Sequence, residues 1–302
     1  MVNLETKLGP LTLQNPVTTA SGTFGYGIEY EPYLSLDNLG AITLKGTTIL
    51  TRLGNNPCRI AETPSGMLNA VGLQNDGVDY LISNYLPQLE KYKKLKVIIN
   101  VSGNTVEEYC QVIDKLNNQK RVDAIELNIS CPNVKFGGMA FGTSKEAASG
   151  VVKEARKITK LPLIVKLSPN VTDVVGIGEA VMNSGGDILS LVNTFLGMAV
   201  DVAKKQPVLS TITGGLSGPA IKPIALRMVW QVKKALKVPI IGMGGIDNTT
   251  DALEFIMAGA DAISVGTANF RDPQISEKIV DGLRQYCLTE KIPDLSNIRG
   301  II

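Results

Sequence analysis

The residues best suited to chemistry lie where an apolar segment ends and a loop begins. The apolar run 124–129 leads into Ser130, Cys131 and Pro132, and two adjacent glycines follow at positions 137 and 138. An apolar run broken by proline and then by glycine is typical of a buried strand that delivers side chains into a loop. A lone cysteine is often only a small buried hydrophobe. This context nevertheless predicts that Cys131 is a reactive thiol on the rim of the fold.

The chain contains no histidine, and this restricts the chemistry it can perform. Ser-His-Asp and Cys-His catalysis are excluded, so a general base must be Cys, Asp, Glu, Lys or Tyr. The four cysteines, Cys58, Cys110, Cys131 and Cys287, contain no C-x-x-C pair, and no metal site is expected in this chain. Few, scattered cysteines fit a reducing cytosol, so we expect a cytoplasmic protein. Cys110 and Cys287 are interpreted as packing residues, and no role is assigned to Cys58.

The composition is that of a globular chain with little net charge. Among 302 residues, 30 Lys and Arg oppose 28 Asp and Glu, which gives a net charge of +2. Capture of a phosphate backbone needs a large cationic field, so a nucleic-acid partner is not expected. No run reaches the roughly 18 apolar residues of a membrane helix. Residues 1–7 include the charged Glu5 and Lys7 and lack the apolar segment of a signal peptide, so no membrane association is expected.

Eight short apolar runs alternate with amphipathic segments along most of the chain. The strand-like runs lie at residues 17–20, 41–45, 97–101, 124–129, 163–167, 188–193, 240–243 and 262–265. Segments with helical periodicity lie at residues 105–116, 145–158, 174–183, 221–236 and 249–257. Strand–helix alternation predicts parallel strands with right-handed crossovers, and eight such units close into a (β/α)8 TIM barrel of the α/β class.

The alternative to a barrel is an open, doubly wound sheet. That fold needs a G-x-G-x-x-G turn after its first strand, and residues 20–25 lack this spacing. The glycines at 176 and 178 lie inside an amphipathic segment with no strand before them. We therefore expect a single domain over residues 1–302, with a hairpin at residues 4–13 before the barrel. Two connections, residues 46–75 and 195–218, exceed the usual length and are predicted to be functional loop insertions.

Polar residues and glycines collect at the predicted strand ends, which face the active site in a barrel. In strand order they are Ser21, Lys45, Asn100, Asn128, Lys166, Asn193 with Thr194, Gly244 with Gly245, and Gly266 with Thr267. The glycine turns after strands seven and eight predict a backbone cradle for a phosphate. Each lysine could be a Schiff-base nucleophile, a charge partner of an anion or a rim residue. The asparagines suit a planar ring with alternating N–H and C=O groups, although a single Asn often only caps a turn.

Five segments resemble the class 1 dihydroorotate dehydrogenases. They are residues 128–133 (Asn-Ile-Ser-Cys-Pro-Asn), 44–48 (Leu-Lys-Gly-Thr-Thr), 69–75 (Asn-Ala-Val-Gly-Leu-Gln-Asn), 213–220 (Thr-Gly-Gly-Leu-Ser-Gly-Pro-Ala) and 242–246 (Gly-Met-Gly-Gly-Ile). The resemblance implies an FMN-containing (β/α)8 barrel that oxidises dihydroorotate to orotate in pyrimidine biosynthesis. It also implies that Cys131 is the base for the C5 proton, while FMN accepts the hydride from C6.

The resemblance further implies the residues that bind flavin and substrate. The flavin-binding positions are Ser21, Lys45, Gly46, Asn100, Asn128, Lys166, Val192, Gly218, Gly244, Gly245, Gly266 and Thr267. The substrate-binding positions are Lys45, Asn69, Ala70, Val71, Gly72, Leu73, Asn128, Asn193 and Thr194. Lys166 is expected near the pyrimidine edge of the flavin, where a positive charge stabilises the anionic reduced form. Lys45 is expected to offset the substrate carboxylate.

The subclass determines where the electrons go. Residues 44–48, 193–198 and 213–220 resemble class 1B, in which the catalytic chain pairs with a second subunit that carries FAD and a [2Fe–2S] cluster and reduces NAD+. The assembly expected from this resemblance is a homodimer core within a heterotetramer. The nearest alternative is a class 1A enzyme, which uses fumarate. Alternatives from other classes are a Schiff-base aldolase with Lys166 as nucleophile and a non-enzymatic flavin-storage or scaffold subunit.

Overall fold

The structure is a computed structural model that describes residues 2–129 and 141–302. In this part of the chain the strands are β1 (Thr6–Leu8), β2 (Leu11–Leu13), β3 (Val17–Thr19), β4 (Ala41–Thr47), β5 (Ile60–Thr63), β6 (Gly66–Asn69), β7 (Lys96–Val101), β8 (Ala124–Asn128), β9 (Leu163–Lys166), β10 (Ile188–Leu191), β11 (Phe195–Met198), β12 (Val200–Asp201), β13 (Gln206–Pro207), β14 (Thr213–Ser217), β15 (Ile240–Met243) and β16 (Ala262–Val265). The α-helices are Val78–Tyr80, Val106–Leu116, Lys145–Ile158, Val174–Asn183, Lys222–Leu236, Thr249–Met257, Ala268–Arg271 and Ile275–Thr289. Shorter helical turns lie at Ile28–Tyr30, Leu36–Asn38, Leu81–Tyr85, Leu86–Leu89, Pro219–Ile221 and Leu295–Asn297.

Eight parallel strands close into a barrel in the order β3, β4, β7, β8, β9, β10, β15, β16, with β16 paired to β3. The predicted (β/α)8 barrel is confirmed. Six of the sixteen strand ends differ from the predicted ones, each by one or two residues. β10, for example, ends at Leu191 and not at residue 193. Beyond it the chain still bonds to both neighbouring strands, because the N–H of Val192 donates to Met243 and the N–H of Asn193 donates to Leu167.

Several helices begin where a polar side chain caps the first turn. Thr105, Ser144, Asp173 and Asn248 each accept a hydrogen bond from the N–H three residues further on. Such caps satisfy N–H groups that have no partner inside the helix. The helices predicted at residues 145–158, 174–183 and 249–257 have those bounds, and two others begin one residue later than predicted. Among the described residues, no helix combines the length and the apolar character that a membrane crossing needs.

Side chains of the barrel strands alternate between two hydrophobic layers. On β8, Ile125 and Leu127 belong to the large outer layer, whereas Ala124 belongs to the inner one. Glu126 and Asn128 share the face of Ala124 and therefore point into the barrel. The inner layer combines leucines of the β1–β2 hairpin with residues of the barrel strands, most of them near the strand starts: Leu8, Leu11, Leu13, Ala41, Ile98, Ala124, Ile164, Ile188, Ile241, Met243 and Ala262. The hairpin thus closes the amino end of the barrel and leaves the carboxyl end for the site.

The two long connections of the chain meet in a second sheet. Strands β11, β14, β6 and β5 pair antiparallel in that order, and we call them the lid sheet. A small cluster of Leu68, Ala70 and Leu209 packs against it, separate from the barrel core. The segments predicted as loop insertions are therefore partly strands. Sequence patterns did not indicate them, because Asn69 finds its partner Gly215 146 residues further along the chain.

Candidate active site

A cavity of about 410 Å³ opens at the carboxyl ends of the barrel strands. The lid sheet forms one of its walls and contributes Ile60, Met67, Asn69 and Ser217. Barrels of this type bind their ligands at this face. The volume is in the range of small-molecule sites, about 300–1,000 Å³.

Nearly all of the residues predicted to bind flavin or substrate line this one cavity. They are Ser21, Lys45, Gly46, Asn69, Val71, Gly72, Leu73, Asn100, Asn128, Lys166, Val192, Asn193, Thr194, Gly218, Gly244, Gly245, Gly266 and Thr267. Ala70 does not line it, because its side chain is fully buried with Leu68 and Leu209 behind the lid sheet. Cys131 lies outside the described residues. The ligand contacts of all these residues stay predictions.

Lys166 is a buried cation at the end of β9. The residue is only 5 % exposed, and its Nζ lies 3.9 Å from Oε1 of Glu126. It also donates to Oγ of Ser21 at 3.4 Å. These contacts place a carboxylate and a hydroxyl beside the ammonium group, an arrangement that suits charge stabilisation better than Schiff-base formation.

Lys45 is a second cation of the cavity, with different surroundings. It is half-buried near the end of β4, and its backbone N–H donates to Gly25. Burial lowers the pKa of the Lys45 ammonium, and the nearby Glu29 carboxylate acts in the opposite direction. Among the described residues, no hydrogen bond or ion pair engages its ammonium group. A half-buried cation of this kind is suited to bind an anionic ligand.

Three amide side chains form a row along the wall. Asn128 Nδ2 donates to Asn100 Oδ1 at 3.4 Å, and Asn193 Nδ2 donates to Asn128 Oδ1 at 3.4 Å. The backbone carbonyl of Asn128 accepts a 2.7 Å hydrogen bond from the buried Tyr109 hydroxyl, which fixes the end of β8. Since an amide offers both a donor and an acceptor, this row can form hydrogen bonds with a ring that carries alternating N–H and C=O groups.

The turns after β15 and β16 form the predicted cradle. Among the described residues, the N–H groups of Gly244, Gly245, Gly266 and Thr267 donate to no carbonyl or side chain. Gly244 and Gly245 have φ angles of 124° and 77°, which residues with a side chain rarely adopt. Unbonded N–H groups at a cavity wall are suited to bind a phosphate.

Gly266 provides a separate indication of a ligand at this place. A Cβ atom there would come no closer than 3.6 Å to Ala20 and 3.9 Å to Thr23, which is ordinary contact. Its φ lies outside the left-handed region. Neither backbone conformation nor packing therefore requires glycine at this position, whereas the close approach of a ligand would. The cradle accordingly has the chemistry of a phosphate-binding turn.

Sequence reasoning missed several residues of the site. Glu126 lies beneath the cavity and accepts a hydrogen bond from the lining residue Asn100, and Ser190 donates to Glu126. Arg59 and Arg271 belong to the lining itself. Glu126 could have been found, because it lies two residues before Asn128 and so shares its face of the strand. The arginines lie outside the barrel strands, and no sequence pattern indicated that they approach the cavity.

The chain resembles known proteins along nearly its whole length. Residues 3–287 match the family model described as dihydroorotate dehydrogenase. A protein of Desulforamulus reducens named dihydroorotate dehydrogenase B (NAD(+)), catalytic subunit, is 56 % identical over 299 residues, which cover 99 % of this chain and 98 % of the relative. Proteins of the same name from Parabacteroides distasonis and Bacteroides thetaiotaomicron are 57 % identical over 287 residues (95 % and 94 % of the two chains) and 55 % identical over 302 residues (100 % and 99 %).

Proposed function

The chain belongs to the dihydroorotate dehydrogenase family, and from this premise we propose that it oxidises dihydroorotate to orotate in pyrimidine biosynthesis as the catalytic chain of an NAD+-linked enzyme. The observation that carries the proposal is the composition of a single cavity. It combines a cradle of unbonded N–H groups with a row of amides and two lysines. A phosphate-bearing flavin and a small cyclic acid need these features together.

The residues present fit FMN as the cofactor. Gly244, Gly245, Gly266 and Thr267 would hold its phosphate through their N–H groups. Lys166 and Asn100 would contact the ring system. When bound, FMN supplies an acceptor for the hydride that leaves C6 of dihydroorotate.

The protein's own residues orient the substrate and move one proton. The Lys45 ammonium binds the substrate carboxylate, and Asn69, Asn128 and Asn193 hold the ring through its N–H and C=O groups. The Lys166 charge stabilises the anion that develops on reduction. Cys131 takes the proton from C5, an assignment that rests on the sequence alone, because this residue lies outside the described part of the chain.

The electrons then leave through a partner. The relatives are named catalytic subunits of NAD+-linked enzymes, which supports a second subunit for this chain. We propose that this subunit carries FAD and a [2Fe–2S] cluster, and that two copies of each subunit form a heterotetramer in the cytoplasm. Cys58, Cys110, Cys131 and Cys287 are too scattered in sequence to hold such a cluster in this chain.

The test is anaerobic reduction of the purified chain. We expect a yellow protein whose oxidised-flavin absorbance is lost when dihydroorotate is added. Addition of NAD+ to the reduced chain alone should restore little absorbance, and addition of NAD+ together with the partner subunit should restore it fully. Rapid reoxidation by fumarate without a partner would identify the class 1A alternative.

Two results would contradict the proposal. A flavin that is bound but not reduced by dihydroorotate, with or without the partner, would exclude this substrate. A chain that binds no flavin on reconstitution, and that borohydride traps on Lys166 with a carbonyl substrate, would identify an aldolase.

A further inference from the structure

A buried carboxylate lies beneath the cavity and has no part in the chemistry proposed above. Glu126 is 2 % exposed and faces the interior of the barrel. It accepts hydrogen bonds from Asn100 Nδ2 at 2.6 Å and from Ser190 Oγ at 2.8 Å, and its Oε1 lies 3.9 Å from Lys166 Nζ. A buried carboxylate is costly unless donors and an opposite charge compensate it. Two of its three partners, Asn100 and Lys166, line the cavity.

We propose that Glu126 is a positioning residue that holds the Lys166 ammonium in place and sets the direction of the row Asn100, Asn128 and Asn193. Through these contacts it sets the reduction potential of the bound flavin and the donor–acceptor pattern that the cavity offers to a ligand. The inference rests on the proposed function, since it concerns the same flavin site.

The first step concerns the amides. An ionised carboxylate only accepts hydrogen bonds, so Asn100 must turn its NH₂ group towards Glu126. Its carbonyl oxygen is then directed to Asn128 Nδ2, and the oxygen of Asn128 to Asn193 Nδ2. One carboxylate thus determines which atoms the row presents. A glutamine at position 126 could donate as well as accept, and this would remove the constraint.

The second step concerns charge. Lys166 and Glu126 are both buried, so little water screens the attraction between them. Reduction places negative charge on the flavin, which a cation stabilises. The negative charge of Glu126 offsets the positive charge of Lys166 and so destabilises the reduced flavin. The Ser190 hydroxyl donates to the Glu126 carboxylate and thereby reduces the effect of its negative charge. Loss of the Glu126 charge should therefore favour reduced flavin, whereas loss of the Ser190 hydroxyl should favour oxidised flavin.

The experiment measures the flavin midpoint potential of the full chain loaded with FMN, by equilibration with a reference dye. We expect Glu126→Gln to shift the equilibrium at least tenfold towards reduced flavin, which is about 30 mV for a two-electron couple. Ser190→Ala should shift it in the opposite direction by a smaller factor. The matched control is Asp261→Asn, because Asp261 is also a buried carboxylate in an ion pair, 2.7 Å from Lys233. Asp261 directly precedes β16 at the amino end of the barrel, far from the cavity. The flavin midpoint potential of the Asp261→Asn protein should therefore equal that of the wild type.

Orotate titrations of the same proteins test the amide step. Glu126→Gln should weaken orotate binding about tenfold, and Asp261→Asn should leave it unchanged. A Glu126→Gln protein with the wild-type potential and the wild-type orotate affinity would overturn the inference. If the Glu126→Gln protein retains no FMN, the flavin midpoint potential of the Ser190→Ala protein tests the inference. A shift of the equilibrium towards oxidised flavin supports the role of Glu126, and an unchanged equilibrium or a shift towards reduced flavin overturns it. A wild-type chain that binds no FMN would instead overturn the proposed function itself.

Discussion

At the residue scale, the site depends on charges held where little water reaches them. Lys166 is compensated by the carboxylate of Glu126, whereas Lys45 has no such partner among the described residues. A compensated lysine is suited to a fixed electrostatic role, and an uncompensated one is suited to bind an incoming anion. The two lysines are therefore not interchangeable, although they belong to the same residue type and the same cavity.

The first residue-scale prediction concerns the base. Cys131→Ala should slow flavin reduction by dihydroorotate about 10²- to 10⁴-fold, because a positioned base contributes roughly that factor. FMN should stay bound, and stopped-flow absorbance under anaerobic conditions measures the rate. Cys58→Ala and Cys110→Ala are the matched controls. Neither residue lines the cavity, and burial raises the pKa of the Cys110 thiol, so neither is expected to act as the base. Fast reduction by the Cys131→Ala protein would assign proton removal to another group.

The second residue-scale prediction concerns Lys45. A hydrogen bond to a charged group contributes about 1.5–3 kcal/mol, so Lys45→Met should weaken orotate binding about 10- to 150-fold at neutral pH. Burial lowers the pKa of the Lys45 ammonium from its ordinary value, and the positive charge is lost as the pH rises through that lowered pKa. The advantage of the wild type over the variant in orotate binding should therefore shrink as the pH rises into the alkaline range.

Equilibrium titration with orotate at several pH values measures the ratio of the wild-type affinity to the Lys45→Met affinity. Ionisation of orotate itself affects both proteins and cancels in the ratio. Lys91→Met, which removes a surface lysine paired with Glu31, should bind orotate as the wild type does. A ratio that stays constant with pH would show that the Lys45 charge is not used in binding.

At the scale of elements, the site is a set of strand ends. β4, β7, β8 and β9 deliver side chains with hydrogen-bonding or charged groups, whereas β15 and β16 end in glycine turns that deliver backbone N–H groups. Since all eight barrel strands are parallel, their carboxyl ends meet at one face. Residues more than 200 positions apart in the chain thereby line the same cavity.

The element-scale prediction concerns the turn after β16. Gly266→Ala places a methyl group in ordinary contact with Ala20 and Thr23 and without a clash, so the fold should keep its thermal stability. FMN should bind about 5- to 150-fold more weakly, because overpacking of a close contact costs about 1–3 kcal/mol. Fluorescence titration of the apoprotein with FMN measures this affinity.

Gly150→Ala is the control for this glycine change. Gly150 lies on the exposed side of helix Lys145–Ile158, and a Cβ there meets nothing within 4 Å. Alanine in a helix is favoured over glycine by about 0.5–1 kcal/mol, so this variant should unfold at a slightly higher temperature and bind FMN normally. Unchanged FMN affinity in Gly266→Ala would remove this turn from the cofactor site.

At the scale of the whole molecule, the protein has two parts with different packing. The barrel and its helices share a large continuous core, whereas the lid sheet packs mainly on the small cluster of Leu68, Ala70 and Leu209 and reaches the large core through Phe195 of β11. A region with few buried apolar contacts opens at a lower free energy than the core. We therefore expect the lid sheet to open at a lower free energy than the barrel.

The whole-molecule prediction separates these two parts. Leu209→Ala removes a side chain that is 1 % exposed, and such truncations cost about 2–5 kcal/mol. Because the lost packing contacts are confined to the lid sheet, amide exchange should accelerate in β6 and β14 but not in the barrel strands. The KM for dihydroorotate should rise, since the lid lines the cavity. Hydrogen exchange read by mass spectrometry measures the first effect.

Ile164→Ala is the control for the lid variant. Ile164 is fully buried in the inner layer of the barrel, so its truncation should accelerate exchange throughout the molecule and lower the unfolding temperature. Equal acceleration in lid and barrel for the Leu209 variant would show that the two parts unfold as one unit.

Much of the site could be read from local order in the chain. Asn100, Asn128 and Lys166 lie near the ends of apolar runs, so a barrel topology alone predicts that they meet at one face.

Ala70 shows what resemblance to a family motif does not predict, namely the direction of an individual side chain. It lies between residues that line the cavity, yet its own side chain packs behind the lid sheet, because successive side chains of extended backbone point to opposite sides.

The sequence by itself determined the order of strands and helices, the barrel and the residue types at its carboxyl end, because hydrophobic periodicity and capping act over a few residues. The family followed from motifs of the same short range. Only the tertiary structure decided that residues 60–69 and 195–217 pair into a lid, and that Glu126 lies between Lys166, Asn100 and Ser190. Those arrangements depend on pairing and packing between segments far apart in the chain, which leave no periodic pattern in either segment alone.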